Sequence, residues 1–101
     1  MILAQLNLPT TTNSGKSTRR QLNQLEVETC NKFGGCTTFN GMGKWVDKNK
    51  LYFDKLRIYQ VAIELKDKKE FITMCKKYGK LTKQLAIYVV INNKPRIINL
   101  K

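Results

Sequence analysis

Histidine is absent from this chain, and with it the commonest general base and the commonest metal ligand. Triads, Cys-His dyads and His-containing zinc sites are thereby excluded. Cys30, Cys36 and Cys75 are odd in number and follow no CxxC spacing, which argues against a disulfide framework and a closed metal site. They are expected to be small buried hydrophobes in a reducing compartment. Asp47 and Asp54 flank a predicted hairpin turn but lack a helical carboxylate partner, so no metal and no cofactor are expected. The sequence therefore singles out no catalytic residue, and it leans towards a protein that is not an enzyme.

Asn13-Ser14-Gly15-Lys16-Ser17-Thr18 lies between a predicted strand and a predicted helix, the setting of a phosphate-binding loop. The full pattern requires a glycine where Thr10 stands, and no strand ends in an aspartate for magnesium. Nucleotide hydrolysis is not supported. What remains is a helix N-terminus, with free N–H groups and partial positive charge, flanked by Lys16, Arg19 and Arg20. These cations oppose the helix dipole, which favours an anionic partner.

Nineteen Lys and Arg against seven Asp and Glu give a net charge of +12. Residues 1–50 carry +4 and residues 51–101 carry +8, so the excess is local. Such a field concentrates anions and speeds encounter with nucleic acid, although a lysine-rich composition also keeps a small protein soluble. Lys69, Thr73, Lys76, Lys80 and Lys83 share one face of a second predicted helix if that helix persists past Gly79. Lys44 with Trp45, and Arg57 between Tyr52 and Tyr59, interleave cations with stacking surfaces as single-stranded nucleic acid sites do. The RNA recognition motif consensus is absent.

The elements that must position these residues follow from periodicity. Ile2, Ala4, Leu6 and Leu8 alternate along an opening strand that ends at Pro9. Ser17 or Thr18 can cap a helix running to Phe33, with Leu22, Leu25, Thr29, Cys30 and Phe33 on its apolar side and Gly34-Gly35 as its stop. Cys36–Asn40 reads as a strand interrupted at Gly41-Met42-Gly43 and resumed at Lys44–Val46. A turn at 47–50 returns the chain as a strand over Leu51–Leu65. Asp67 and Glu70 have capping-box spacing ahead of the second helix, whose buried stripe is Phe71, Met74, Cys75, Tyr78 and Leu81. Leu85–Ile91 is a strand with two apolar sides, Asn92-Asn93 a turn, and Arg96–Leu100 an edge strand.

The order predicts an α+β chain: one domain over residues 1–101, a ferredoxin-like βαββαβ antiparallel sheet with two helices on one face and a short extra C-terminal strand. Some of Ile58, Ala62, Tyr88 and Val90 would lie exposed on the uncovered face, where a homo-oligomer or a bound base or peptide would cover them. The longest apolar runs fall short of a membrane span and no basic leader precedes the first strand, so a cytoplasmic location is expected.

Phe33-Gly34-Gly35-Cys36-Thr37-Thr38 followed by Gly41-Met42-Gly43-Lys44-Trp45 resembles a pattern in small phage-, plasmid- and bacterial-genome-encoded αβ proteins. The resemblance spans residues 1–65 as an order of elements and about a dozen positions as a motif. It implies a ferredoxin-like fold and a mobile-element origin, without catalytic residues.

The function expected from sequence is therefore a small basic binding protein that captures an anionic partner through Lys16, Arg19, Arg20, Lys44, Trp45, Arg57, Lys69, Lys76, Lys80 and Lys83. That partner would be nucleic acid, a guide-RNA defence complex inhibited in the anti-CRISPR manner, or a nucleotide signal. The alternatives are a metal-independent ribonuclease or ring nuclease, and a protein-interaction module.

Overall fold

The computed structural model describes residues 1–100. Five strands, β1 (Ile2–Pro9), β2 (Thr37–Asp47), β3 (Lys50–Ile63), β4 (Ala86–Ile91) and β5 (Lys94–Asn99), form one antiparallel sheet in the order β2-β3-β1-β4-β5. Two helices, α1 (Arg19–Phe33) and α2 (Lys68–Leu81), pack on the same face. The core lies between them and the sheet. Ala4, Leu6 and Leu8 of β1, Tyr59, Val61 and Ile63 of β3, and Ile87, Val89 and Ile91 of β4 point inward at period two. Leu22 and Leu25 of α1 and Phe71, Met74, Cys75 and Tyr78 of α2 meet them.

Local chemistry explains most boundaries and corrects several expectations. Thr18 precedes α1, but its hydroxyl donates to the Pro9 carbonyl at 2.9 Å instead of capping the helix. Gly34, at φ 90°, closes α1 with its N–H on the Cys30 carbonyl. Only Cys75 of the three cysteines is buried; Cys30 is exposed and Cys36 intermediate, because the first lies on the solvent side of the last turn and the second just before β2. No capping box forms at α2, since a 3-10 turn (Leu65–Asp67) precedes it and the Glu70 carboxylate is 3.3 Å from the Lys32 ammonium. Leu65 and Leu81 are exposed.

Gly79 does not break α2; it is buried against β4. The helix ends instead where the Thr82 hydroxyl donates to the Tyr78 carbonyl at 2.7 Å. Lys83 then turns away with φ 59° and leaves the row of Lys69, Lys76 and Lys80. β2 runs without interruption, and its register passes through Gly41↔Leu56 and Gly43↔Asp54 without a bulge. Lys48-Asn49 and Asn92-Asn93 all have positive φ, as two-residue hairpin turns of matching twist require.

Two features shape the open side of the sheet. β1 pairs with β3 no further than Pro9↔Leu56, so residues 42–47 of β2 and 50–55 of β3 continue as a two-stranded arm. The helix-free face of the sheet carries a row across all five strands, Phe39↔Ile58↔Asn7↔Tyr88↔Ile97. The paired arm residues Trp45 and Tyr52, and Gly43 and Asp54, share the parity of that row and so the same face.

Candidate functional site

Where the arm leaves the sheet, a concavity of about 630 Å³ opens on the helix-free face. Its floor is built from Asn7, Ile58, Tyr88 and Ile97, and its wall from Gly43, Lys44, Trp45 and Asp54. The volume is that of a site for a compact organic ligand. The Trp45 indole is stacked on the Tyr52 ring, 5.6 Å between centroids and 15° between planes, and the Lys50 ammonium sits 5.4 Å from the Tyr52 centroid. That stack stiffens an arm that has no helix behind it. Gly43 leaves the wall thin: a Cβ there would lie 3.1 Å from Leu56 Cδ1.

The amides of the open face form a directed chain. Gln60 Nε2 donates to Gln5 Oε1 at 2.9 Å, and Gln5 Nε2 donates to Asn7 Oδ1 at 3.0 Å. With its carbonyl oxygen engaged, Asn7 offers N–H groups to the cavity it lines. The site thus combines aromatic faces suited to stacking or to a soft cation, a carboxylate and an oriented amide.

The other predicted residues fall elsewhere. Arg19 and Arg57 line a separate cavity of about 290 Å³ with Thr10, Ser17, Leu22 and Asn23. There Arg57 Nε donates to Asn40 Oδ1 at 3.1 Å, and its guanidinium lies 3.8 Å from the Glu26 carboxylate. Lys16 stands in the loop before α1, where its N–H bonds the Thr12 hydroxyl. Arg20 borders a shallow groove between α1 and α2, beside Glu28, Lys77 and Tyr78. Lys69, Lys76 and Lys80 are exposed on α2, on the helical side of the molecule. Of the ten, only Lys44 and Trp45 line the arm cavity, and of these only Trp45 has the strand parity that turns its side chain to that face. Asn7 carried no sequence signal as a site residue, Tyr88 drew notice only among the apolar residues of the uncovered face and Asp54 only as a poor metal ligand, because cross-strand register alone brings these side chains together.

The groove between the helices holds an electrostatic cluster centred on Glu28. Glu28 accepts from the Lys77 ammonium at 2.8 Å and from the Tyr78 hydroxyl at 2.9 Å. The Lys77 hydrogen bond holds the Glu28 carboxyl below its ordinary range, while burial and the Glu28 carboxylate push the Tyr78 phenol up to about 12. Glu28 is thereby committed to a structural ion pair.

No family model and no curated protein matches the sequence. Solved structures of phage SAM lyase share the fold. A phage SAM lyase in complex with S-methyl-5′-thioadenosine superposes with a TM-score of 0.74 at 10% identity, covering 97% of this chain and 88% of that one. A phage SAM lyase in its apo state gives 0.67 at 12% identity over the same shares. At that identity the likeness is one of fold.

These neighbours correct the reading of the surplus charge. Both are named for a reaction on a small molecule, and the ligand of the first is a nucleoside thioether that carries no phosphate. Nucleic acid, a guide-RNA complex or a nucleotide signal is withdrawn as the partner. The binding-protein, ribonuclease, ring-nuclease and protein-interaction readings go with it. The physical reason is visible in the placement of the cations: net charge measures their number, and here they are dispersed over the loop before α1, the arm, the α2 surface and the turn at Lys83. No helix among the described residues is long and apolar enough to cross a membrane.

Proposed function

We propose that this protein is a lyase acting on S-adenosylmethionine, with the cavity between arm and sheet as its substrate site. The observation that carries the reading is the meeting, in one cavity, of the Trp45 indole, the Tyr88 ring, the Asp54 carboxylate and the Asn7 amide. The fold likeness to phage SAM lyase supports it, and a phage origin accords with both neighbours. The order β2-β3-β1-β4 fits the ferredoxin-like arrangement, with β5 appended.

The substrate is a sulfonium cation joining a nucleoside to an amino-acid head. Trp45 and Tyr88 supply π-faces for the adenine and for the soft cation beside it. Asn7 donates to an acceptor of the nucleoside. Asp54 takes the α-ammonium.

Chemistry requires the bond from sulfur to the γ-carbon of the head to break, with its electron pair passing to sulfur. S-Methyl-5′-thioadenosine then leaves as a neutral thioether. The γ-carbon is satisfied by the head's own carboxylate oxygen, closing a lactone. Atoms and charge balance within one molecule: the cationic sulfur becomes neutral and the carboxylate becomes an ester oxygen. No outside base is needed, which suits a chain without histidine.

Because opposite charges are consumed on the way to the transition state, apolar walls accelerate the step relative to water. Leu56, Ile58 and Ile97 supply such walls. The remaining task is to fold the head back on itself, a matter of orientation.

The test is incubation of purified protein with S-adenosylmethionine and chromatography for S-methyl-5′-thioadenosine. Formation of the thioether, lost in Asp54→Asn and Trp45→Ala, supports the assignment. Turnover unaffected by both substitutions would place the site elsewhere, and absence of both turnover and thioether binding would overturn the function.

A further inference from the structure

Cys30 and Cys36 take no part in the cavity, yet their Sγ atoms lie 3.8 Å apart. Cys30 sits in the last turn of α1 with its side chain exposed, and Cys36 stands immediately before β2, packed against the edge of the core. The chain between them is folded back by the left-handed Gly34, whose N–H is held on the Cys30 carbonyl at 2.9 Å. A Cβ built on Gly34 or Gly35 would meet nothing within 4 Å, so open space lies beside both residues of this turn. A disulfide requires sulfurs about 2.05 Å apart. The remaining gap is within reach of side-chain rotation and a small shift of the turn.

We propose that Cys30 and Cys36 form a modification site, a thiol pair that low-molecular-weight disulfides of the glutathione type convert to an intramolecular disulfide, fastening the end of α1 to the root of β2. The alternative use of paired thiols is a metal, but among the described residues no cluster of three or more Cys, Asp or Glu exists to complete a coordination shell. Disulfide closure needs only the two sulfurs present.

The order of events follows from exposure. Burial and the neighbouring Cys30 push the Cys36 thiol up to about 11, with Glu26 adding to the shift, so Cys36 is poorly suited to attack an external disulfide. Exposed Cys30 meets the oxidant first. Its thiolate attacks one sulfur of glutathione disulfide and expels one glutathione thiolate, leaving a mixed disulfide on Cys30. Cys36 then loses its proton and attacks the Cys30 sulfur, expelling the second glutathione. Two electrons pass from the cysteine pair to glutathione disulfide, and two glutathione molecules are released. Cys75 takes no part, since it is fully buried and its thiol is pushed far upward by desolvation. Fastened this way, β2 is held at its root while its other end carries Gly43, Lys44 and Trp45.

The experiment treats the full chain with glutathione disulfide, blocks free thiols with an alkylating reagent, and maps the products by peptide mass spectrometry. The expected product is a Cys30–Cys36 linked peptide, lighter by two hydrogen atoms, with Cys75 alkylated only after denaturation. Closure should quicken with pH as far as the Cys36 titration, and the oxidised protein should melt several degrees higher until dithiothreitol restores the original midpoint. Cys36→Ser should halt at a persistent glutathione adduct on Cys30. A persistent adduct in the unsubstituted protein, a dimer linked through Cys30, or two cysteines that stay free would each overturn the proposal.

Discussion

Gly79→Ala sets two known magnitudes against each other. Alanine in a helix interior is favoured over glycine by about 1 kcal/mol, so on propensity alone the change stabilises α2. The structure opposes it. A Cβ at position 79 would lie 2.6 Å from Leu100 Cδ1 and 2.7 Å from Ile87 Cγ2, where ordinary carbon contacts are about 3.5–4.0 Å. Leu100 can yield, because its Cδ1 is the free end of a half-buried side chain near the terminus. Ile87 cannot, because it is 3% exposed in the second strand from the edge and its Cγ2 is fixed by a β-branched χ1. Relief therefore lifts α2 from β4, and overpacking of this kind costs about 1–3 kcal/mol. The net expectation is destabilisation by about 0–2 kcal/mol, with the midpoint lowered by about 4–8 °C per kcal/mol in a domain of this size. Urea and thermal unfolding of Gly79→Ala, Ile87→Leu and the double variant measure it. Leucine lacks the offending Cγ2, so the double variant should recover at least about 0.5 kcal/mol of coupling. A Gly79→Ala protein more stable than the parent would show that propensity wins and that the α2–β4 contact has slack.

Asp54→Asn should weaken S-adenosylmethionine binding tenfold or more, about 1.4 kcal/mol, while leaving S-methyl-5′-thioadenosine affinity within about twofold, since the thioether lacks the head assigned to Asp54; calorimetry with both ligands separates the two. Trp45→Ala should weaken both ligands and Trp45→Phe should retain most of the affinity, so equal losses in the two variants would remove stacking from the account. For Glu28→Gln, the native carboxyl titrates below the ordinary 4.5, so its contribution is present above that value and is lost as pH falls through the lower native one. A deficit of about 0.5–1 kcal/mol at pH 7 should therefore shrink towards zero as urea midpoints are followed down to pH 3. Tyr59→Phe removes a buried hydroxyl that donates to the Leu22 carbonyl at 3.0 Å, and should cost about 0.5–1.5 kcal/mol with an unchanged denaturant slope.

Much of the frame was legible from periodicity alone. Alternation in Met1–Leu8 and the helical spacing of Leu22, Leu25 and Thr29 depend on neighbours close in sequence, and their strand and helix are where those patterns require. Paired asparagines at 92–93 mark a turn for the same local reason, their tolerance of positive φ. Capping was less legible, because Thr18 and Glu70 found partners distant in sequence, Pro9 and Lys32, that compete with their own helix ends.

Sequence by itself determined the alternation of strands and helices, the inward faces of β1, β3 and β4, and the absence of histidine chemistry. Tertiary structure alone decided where the functional groups converge. Asn7, Asp54 and Tyr88 belong to three strands far apart in the chain, and one-residue slips in the pairing of β1 or β4 would send their side chains into the helix-covered core. Charge deceived for a related reason: a composition sums cations whatever their direction, whereas attraction of a polyanion depends on their pointing the same way. The fold spread them apart and set one indole, one carboxylate and one amide around a common hollow.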